Sequence, residues 1–249
     1  MDIQALSRRN PGRMDHAALV QAMKDPGFYP HPVAEVSYIQ THVSSVFLTG
    51  DLAYKVKKPV DFGFLDFSTV EFREKNCRRE LALNQRLAPS VYLRVAPIAL
   101  EGGRPLLDGS GEPVDWVVVM REMDQSLLGP QVLSRGELTP EKIDALVDVL
   151  VPFYPGARSG PEVDHWGRPE VFQFTTDENF QQTAESVGEA ISRATYDHIR
   201  EYTDTFFLER ADLFQRRIDQ GRIRECHGDL HLGNIFFEEE PVVFDCIEF

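Results

Sequence analysis

The spacing of apolar and polar positions changes along this chain. Across residues 33–121 the apolar residues fall in short runs bounded by turn formers. Ser45-Val46-Phe47-Leu48-Thr49 leads into Gly50-Asp51, and Ala53-Tyr54-Lys55-Val56-Lys57 follows, which is the pattern of a β-hairpin. Further strands are predicted over 92–99 and 116–121. Between the hairpin and these strands the period becomes helical. Ser68 and Glu71 have capping-box spacing, and Phe67 and Phe72 are placed as a hydrophobic staple. That helix should run to about Leu87 and stop before Pro89.

Outside this stretch the pattern is mostly helical. Residues 1–14 read as a flexible tail, 15–24 as a short amphipathic helix, and 25–32 as a turn-rich linker. Thr139 can cap a helix with Pro140 at its first position, and Ile143, Leu146, Val147 and Leu150 supply its apolar stripe. A Pro/Gly-rich loop is expected over 152–169 and a helix over 178–193. One long helix is expected over 196–220, about 38 Å long at 1.5 Å per residue and ended by Gly221. The fold class is therefore α+β. Residues 1–32 form a tail and short helix, 33–123 a strand-rich lobe, and 124–249 a helical lobe.

Composition narrows the class. A chain of 249 residues can bury a core as one large domain or two lobes. With 40 Asp and Glu against 26 Lys and Arg, the net charge of −14 argues against a nucleic-acid partner, which needs a basic face. No apolar run approaches the ~18 residues of a membrane span, and residues 1–13 lack an apolar signal core. Three cysteines, Cys77, Cys226 and Cys246, cannot form a disulfide framework, which fits the cytoplasm. Cys226 and Cys246 are expected to be buried small hydrophobes.

The chemistry is concentrated in Cys226-His227-Gly228-Asp229-Leu230-His231-Leu232-Gly233-Asn234-Ile235, followed by Val242-Val243-Phe244-Asp245. Phosphoryl transfer needs a carboxylate to orient or deprotonate the acceptor hydroxyl and oxygen ligands for magnesium. Asp229 can be that base, and Asn234 and Asp245 can be the metal ligands. Two short strands flank a four-residue loop, 238–241; if Phe237 pairs with Val242, Asn234 lies opposite Asp245. The pattern lacks the paired ligand spacing of a zinc site, and there is no G-x-x-x-x-G-K-[ST].

His-Gly-Asp-Leu-His-x-x-Asn, then a hydrophobic strand and Asp, resembles the signature of the aminoglycoside phosphotransferase-like kinases of the protein-kinase-like fold. Over residues 33–249 the chain is similar to a bacterial branch often described as bifunctional aminoglycoside phosphotransferase/ATP-binding proteins. The resemblant segments include Phe62-Gly63-Phe64-Leu65-Asp66-Phe67-Ser68 and Phe244-Asp245-Cys246-Ile247-Glu248-Phe249. The resemblance implies a two-lobed fold and the cofactors ATP and Mg2+. It also implies a small-molecule hydroxyl acceptor, with further helices beyond Asp245 that leave the second lobe C-terminally incomplete here. In many members a P-loop ATPase domain follows. A nucleotide-binding regulatory module working with such a domain is the alternative function. A protein kinase fits less well, since Gly228 stands where an arginine typically precedes the catalytic Asp.

The resemblance also implies a strand lysine on the nucleotide's α/β-phosphates and a helix glutamate paired with it. Lys55 fits the lysine, and Lys57, on the same face, is the alternative. Glu80 lies beside Cys77, Leu81, Leu83 and Leu87 on the apolar side of its helix, whereas Glu74 lines up with Glu71, Arg78 and Gln85; Glu80 is therefore preferred. Residues 116–123 resemble the strand-to-hinge segment whose backbone reads adenine, which assigns Met120, Arg121, Glu122 and Met123 to the nucleotide. A phosphate-covering loop is expected over 44–51. Asp61-Phe62-Gly63 matches the protein kinases' magnesium triplet but precedes the catalytic loop, so it is read as a turn. Glu248 is expected either to assist the metal or to cap a turn.

Overall fold

A computed structural model describes residues 14–63 and 65–248. The expected flexible tail lies outside these residues except for Met14. The described chain is α+β and divides into two compact units. One comprises the described residues through Val149 together with those from His227 onward. The other runs from Leu150 to Cys226, so the division falls inside a helix.

The first unit begins with α1 (His16–Met23), capped by Asp15, whose carboxylate accepts from the Ala17 N–H. Strands β1 (Ser37–Gln40), β2 (Ser44–Leu48) and β3 (Leu52–Lys57) follow, then α2 (Val70–Asn84). Strands β4 (Tyr92–Glu101), β5 (Arg104–Leu107) and β6 (Pro113–Arg121) complete an antiparallel sheet of order β1-β2-β3-β6-β4-β5. The hairpin, the helix and the two later strands match the sequence pattern, while β5 was not anticipated.

Alternation along the central strands gives the sheet two cores. Phe47, Tyr54, Val56, Val117 and Val119 face α1 and the segment after it. That segment is not a bare linker: a 3-10 turn at Pro26–Phe28 buries Phe28, and Tyr29 follows it into the core. Ala53, Val118 and Met120 face the other way, onto Cys77 of α2. Phe47 and Val118 are 0% exposed, and burying an apolar side chain of this kind contributes roughly 1.5–3 kcal/mol. The first turn of α2 departs slightly from expectation. Thr69, not Ser68, is the N-cap, accepting from the Phe72 N–H. Phe72 is exposed while Phe67 is buried, so Phe67 is fixed from the sheet side instead of by a staple. Asp61-Phe62-Gly63 is a turn, with the Gly63 N–H bonded to the Asp61 carboxylate.

After β6 come α3 (Gly129–Ser134) and α4 (Pro140–Gly156). The loop expected from residue 152 starts later: α4 continues through Pro152 and Pro155 to Gly156. The second unit holds the end of α4, then α5 (Pro161–Asp164), α6 (Pro169–Thr183), α7 (Arg193–Glu209) and α8 (Ala211–Asp219). Two helix readings are corrected here. The stretch 178–193 contains the end of α6 and the start of α7, separated by Gly188 at φ 99 and the cap Ser192. The single helix over 196–220 is broken at Arg210, with φ −118 and ψ 18. Residues 207 and 214 would be about 10 Å apart along a straight helix. The break lets Phe207 and Phe214 stack with centroids 5.6 Å apart. In the first unit the chain ends with β7 (Ile235–Phe236) and β8 (Val242–Val243), a small antiparallel pair. Among the described residues no helix is long and apolar enough to cross a membrane.

Candidate active site

Strand alternation puts Ala53, Lys55 and Lys57 on one face of β3. α2 turns Cys77, Glu80, Leu83 and Asn84 inward. Glu80 is 0% exposed and receives both lysines: Lys55 Nζ is 2.8 Å from Oε1, and Lys57 Nζ is 2.6 Å from Oε2. Both lysines thus pair with Glu80, and of the two only Lys55 lines the cavity described below. Lys55 also pairs with Asp245 Oδ1 at 2.5 Å, and Lys57 with Glu248 Oε1. Glu248 is accordingly held within the fold by Lys57. Glu74 pairs with Arg78 on the outside of α2, as its helical position implied.

The electrostatics follow from burial opposed by pairing. Burial alone would push the Lys55 ammonium down, but Asp245 and then Glu80 hold it well above the usual lysine range. Burial would raise Glu80, yet Lys55 and Lys57 hold it at about 2. Glu248 moves up, through burial and the nearby Glu80 carboxylate, against the pull of Lys57. The buried Cys77 thiol is pushed up to about 12, chiefly by burial.

The loop 227–234 is tied down by its own side chains. His227 is buried; its Nε2 is 2.8 Å from the Phe244 carbonyl, and its Nδ1 is 3.2 Å from the Asp229 N–H. A neutral ring with its proton on Nε2 satisfies both contacts, and burial lowers its pKa in keeping with that. Gly228 has φ +88, a backbone that favours glycine, and a Cβ there would sit tightly against the Ile247 side chain at 3.2 Å. Asn234 Nδ2 donates to the Asp229 carbonyl at 2.9 Å and to Asp229 Oδ2 at 3.2 Å. Its amide oxygen is therefore the donor left for a cation. His231 accepts from the Gly233 N–H through Nδ1, which places Nε2 3.4 Å from Asp229 Oδ2.

The hairpin register differs from the expected one. Phe236 opposes Val242 and Ile235 opposes Val243, so Asn234 faces Phe244, whose N–H donates to the Asn234 carbonyl at 3.0 Å. Phe237 leaves the pair because its N–H bonds the Leu127 carbonyl at 2.9 Å. Asp245 lies one residue further on, at φ 60, a left-handed backbone that aspartate tolerates better than most residues. Its N–H is 3.2 Å from the Tyr92 hydroxyl.

These groups border a cavity of about 290 Å3. Leu48, Ala53, Met123 and Phe236 give it apolar walls, and Lys55, Asn234 and Asp245 also line it. Met120 and Arg121 of the hinge-like segment line it too, whereas Glu122 turns to the β2–β3 corner, accepting from the Gly50 N–H at 2.8 Å. The N–H groups of Arg121 and Glu122 are bonded within the fold, to Val91 and Asp51. Val46 and Leu48, within the 44–51 stretch expected to cover phosphates, line the cavity as well. Residues 44–51 form β2 and its corner, and the tight turn bordering the cavity is Thr41-His42-Val43, closed by the Ser44 N–H on Thr41 Oγ1.

Two contributors were missed in the sequence. Asn84, one turn beyond Glu80 on the same buried face, bonds the Cys246 N–H, and Tyr92 opens β4 under Asp245. Asn84 was findable from its helical spacing; Tyr92 carries no comparable signal. Cys246 is buried as expected, but Cys226 is exposed, because it lies in the irregular segment before the loop, outside any strand or helix.

Among the described residues no cluster of three His, Cys, Asp or Glu side chains could hold a metal alone. One carboxylate and one amide oxygen, hard donors both, suit Mg2+ when phosphate oxygens complete the set. No protein-family model matches the chain. It is 35% identical over 223 residues to an uncharacterized protein of Mycobacterium bovis and to uncharacterized proteins of two Mycobacterium tuberculosis strains. Each match covers 88% of this chain and 43% of the relative, so the chain spans less than half their length.

Proposed function

We propose that this chain carries the nucleotide site of an ATP- and Mg2+-dependent phosphotransferase acting on a hydroxyl of a small molecule, on the two-lobed kinase-like fold of the aminoglycoside phosphotransferase-like enzymes. The observation that carries the reading is Lys55 held between Glu80 and Asp245 at a cavity shared with Asn234. In this reading the apolar walls receive the adenine, with the backbone at Met123 as its polar edge. Lys55, kept cationic by Glu80, binds the α/β-phosphates. Asp245 and the Asn234 amide oxygen would hold Mg2+ jointly with the nucleotide. The metal, when bound, supplies neutralisation of the phosphate oxygens.

Asp229 takes the acceptor hydroxyl's proton as that oxygen bonds to the γ-phosphorus and the bond from that phosphorus to the β–γ bridging oxygen breaks, releasing ADP. Asn234 and His231 fix its carboxylate by contacts to Oδ2. The reduced cysteines suit a cytoplasmic site of action.

Thermal shift with ATP, with and without Mg2+, and a transfer screen over aminoglycosides, sugars, choline-like amines and protein test the proposal. Stabilisation by Mg-ATP together with transfer to one acceptor class supports it. No nucleotide binding overturns it. Binding without transfer to any acceptor would replace it with a nucleotide-binding regulatory module. That module would belong to a larger protein with a P-loop ATPase domain, a reading consistent with relatives more than twice this length.

A further inference from the structure

Asp245, Lys55, Glu80, Lys57 and Glu248 form one line of alternating charge, each member paired to the next. Its inner part has no access to water: Lys57 is 1% exposed and Glu80 0%. Two ammoniums therefore compete for one buried carboxylate, and the competition is unequal. Lys57 donates an aligned hydrogen bond to Glu80 Oε2 and also sits 4.6 Å over the Phe67 ring. Glu80 Oε1 faces Lys55 across a close ion pair without an aligned hydrogen bond. What offsets the second claim on Glu80 is Glu248, whose Oε1 accepts from Lys57.

We infer that Glu248 is a positioning residue for Lys55: by neutralising Lys57 it leaves one oxygen of Glu80 to hold Lys55 in place. The inference rests on the nucleotide reading above, in which Lys55 meets phosphate. Once Asp245 turns to a metal, the remaining four groups are two ammoniums and two carboxylates and balance. Remove Glu248, and Glu80 alone faces two buried ammoniums. Lys57, which cannot reach solvent, then draws Glu80 away from Lys55.

The test is a cycle of Glu248→Gln, Lys57→Met and the double variant, each titrated with metal-free ATP and with Mg-ATP. Glu248→Gln should weaken Mg-ATP binding about tenfold, the order expected for one charge-assisted hydrogen bond, and metal-free ATP binding less, because Asp245 then still pairs with Lys55. Lys57→Met should bind ATP close to wild type, because Glu80 then serves Lys55 alone. The double variant should return to within about threefold of wild type. That rescue is the readout that a purely structural role for Glu248 would not produce.

Wild-type Mg-ATP affinity in Glu248→Gln overturns the inference, as does a double variant no better than Glu248→Gln. If Glu248→Gln does not fold, Lys57→Met and the double variant decide: equal ATP affinities support the inference, and a tenfold gap between them overturns it. A second readout is independent of nucleotide. The ammonium 15N shift and proton-exchange rate of Lys55 in ligand-free protein should change in Glu248→Gln and recover in the double variant. If wild type binds no ATP, the nucleotide reading fails while this NMR cycle still judges the charge relay. An unchanged Lys55 signal throughout the cycle overturns the relay.

Discussion

The Asn84 side-chain oxygen accepts the backbone N–H of Cys246 at 2.8 Å, and this bond joins α2 directly to the segment carrying Asp245. The Asn84 amide nitrogen donates to the Glu80 carbonyl at 2.9 Å, so one buried side chain references the position of both carboxylates. Asn84→Ala leaves the Cys246 N–H unsatisfied in the interior, at a cost of about 1–3 kcal/mol. Urea denaturation should show that loss, and stabilisation by Mg-ATP should shrink with it. Wild-type stability in the variant would mean that another group satisfies Cys246.

Asp229 is half-exposed, and its contacts run to Asn234 and His231 and not to the Lys55 cluster. Asp229→Asn should therefore lower kcat by about 10²–10⁴, the usual contribution of a positioned base. ATP affinity should stay near wild type. An Asp229→Asn protein that no longer binds nucleotide would contradict the role given to this residue.

Acid should weaken the fold through His227. Its pKa is lowered from 6.5, mainly by burial, against opposing pulls from the Phe244 carbonyl, Asp245 and Asp229. The folded state then binds fewer protons than the unfolded chain at acidic pH, so stability rises with pH. The contribution is complete above about 6.5 and is lost as pH falls toward the folded value. His16, lowered chiefly by burial, adds a term of the same sign. Urea midpoints at mildly alkaline and mildly acidic pH should differ less in His227→Gln than in wild type. Equal pH slopes would remove His227 as the cause.

A Cβ on Gly129 would collide with the Leu232 carbonyl, because α3 packs directly against the loop between Asp229 and Asn234. Gly129→Ala should cost about 1–3 kcal/mol as overpacking and lower turnover by displacing Asn234. Gly156, at the end of α4, has open space where its Cβ would be and no left-handed backbone. Gly156→Ala should therefore be neutral or stabilising by up to about 1 kcal/mol. Comparable losses in the two variants would show that the Gly129 effect is not steric.

Much of the site was legible because it is local. His227, Asp229 and Asn234 lie on one short loop whose side chains bond their own backbone, and α2 announces Glu80 by helical spacing. The hairpin register was not legible. Apolar alternation fits two pairings one residue apart, and the choice is made by Leu127, whose carbonyl takes the Phe237 N–H. The break at Arg210 was hidden for a similar reason: no glycine or proline marks it, and its benefit appears only when Phe214 reaches Phe207. Lys55 and Lys57 could not be ranked from β3 alone, because what separates them is Glu248, far along the chain.

That distance has a consequence for biosynthesis. Lys55 and Asp245 are 190 residues apart in sequence, and Lys57 and Glu248 are 191 apart. The sheet and α2 leave the ribosome long before either carboxylate exists. During that interval Glu80 must accommodate two lysines alone, an imbalance that favours keeping α2 undocked until the distal segment arrives. Assembly of the cavity around Lys55 would then wait for residues 245–248, and a nascent chain stalled short of residue 245 should bind the chaperones that recognise an uncovered sheet.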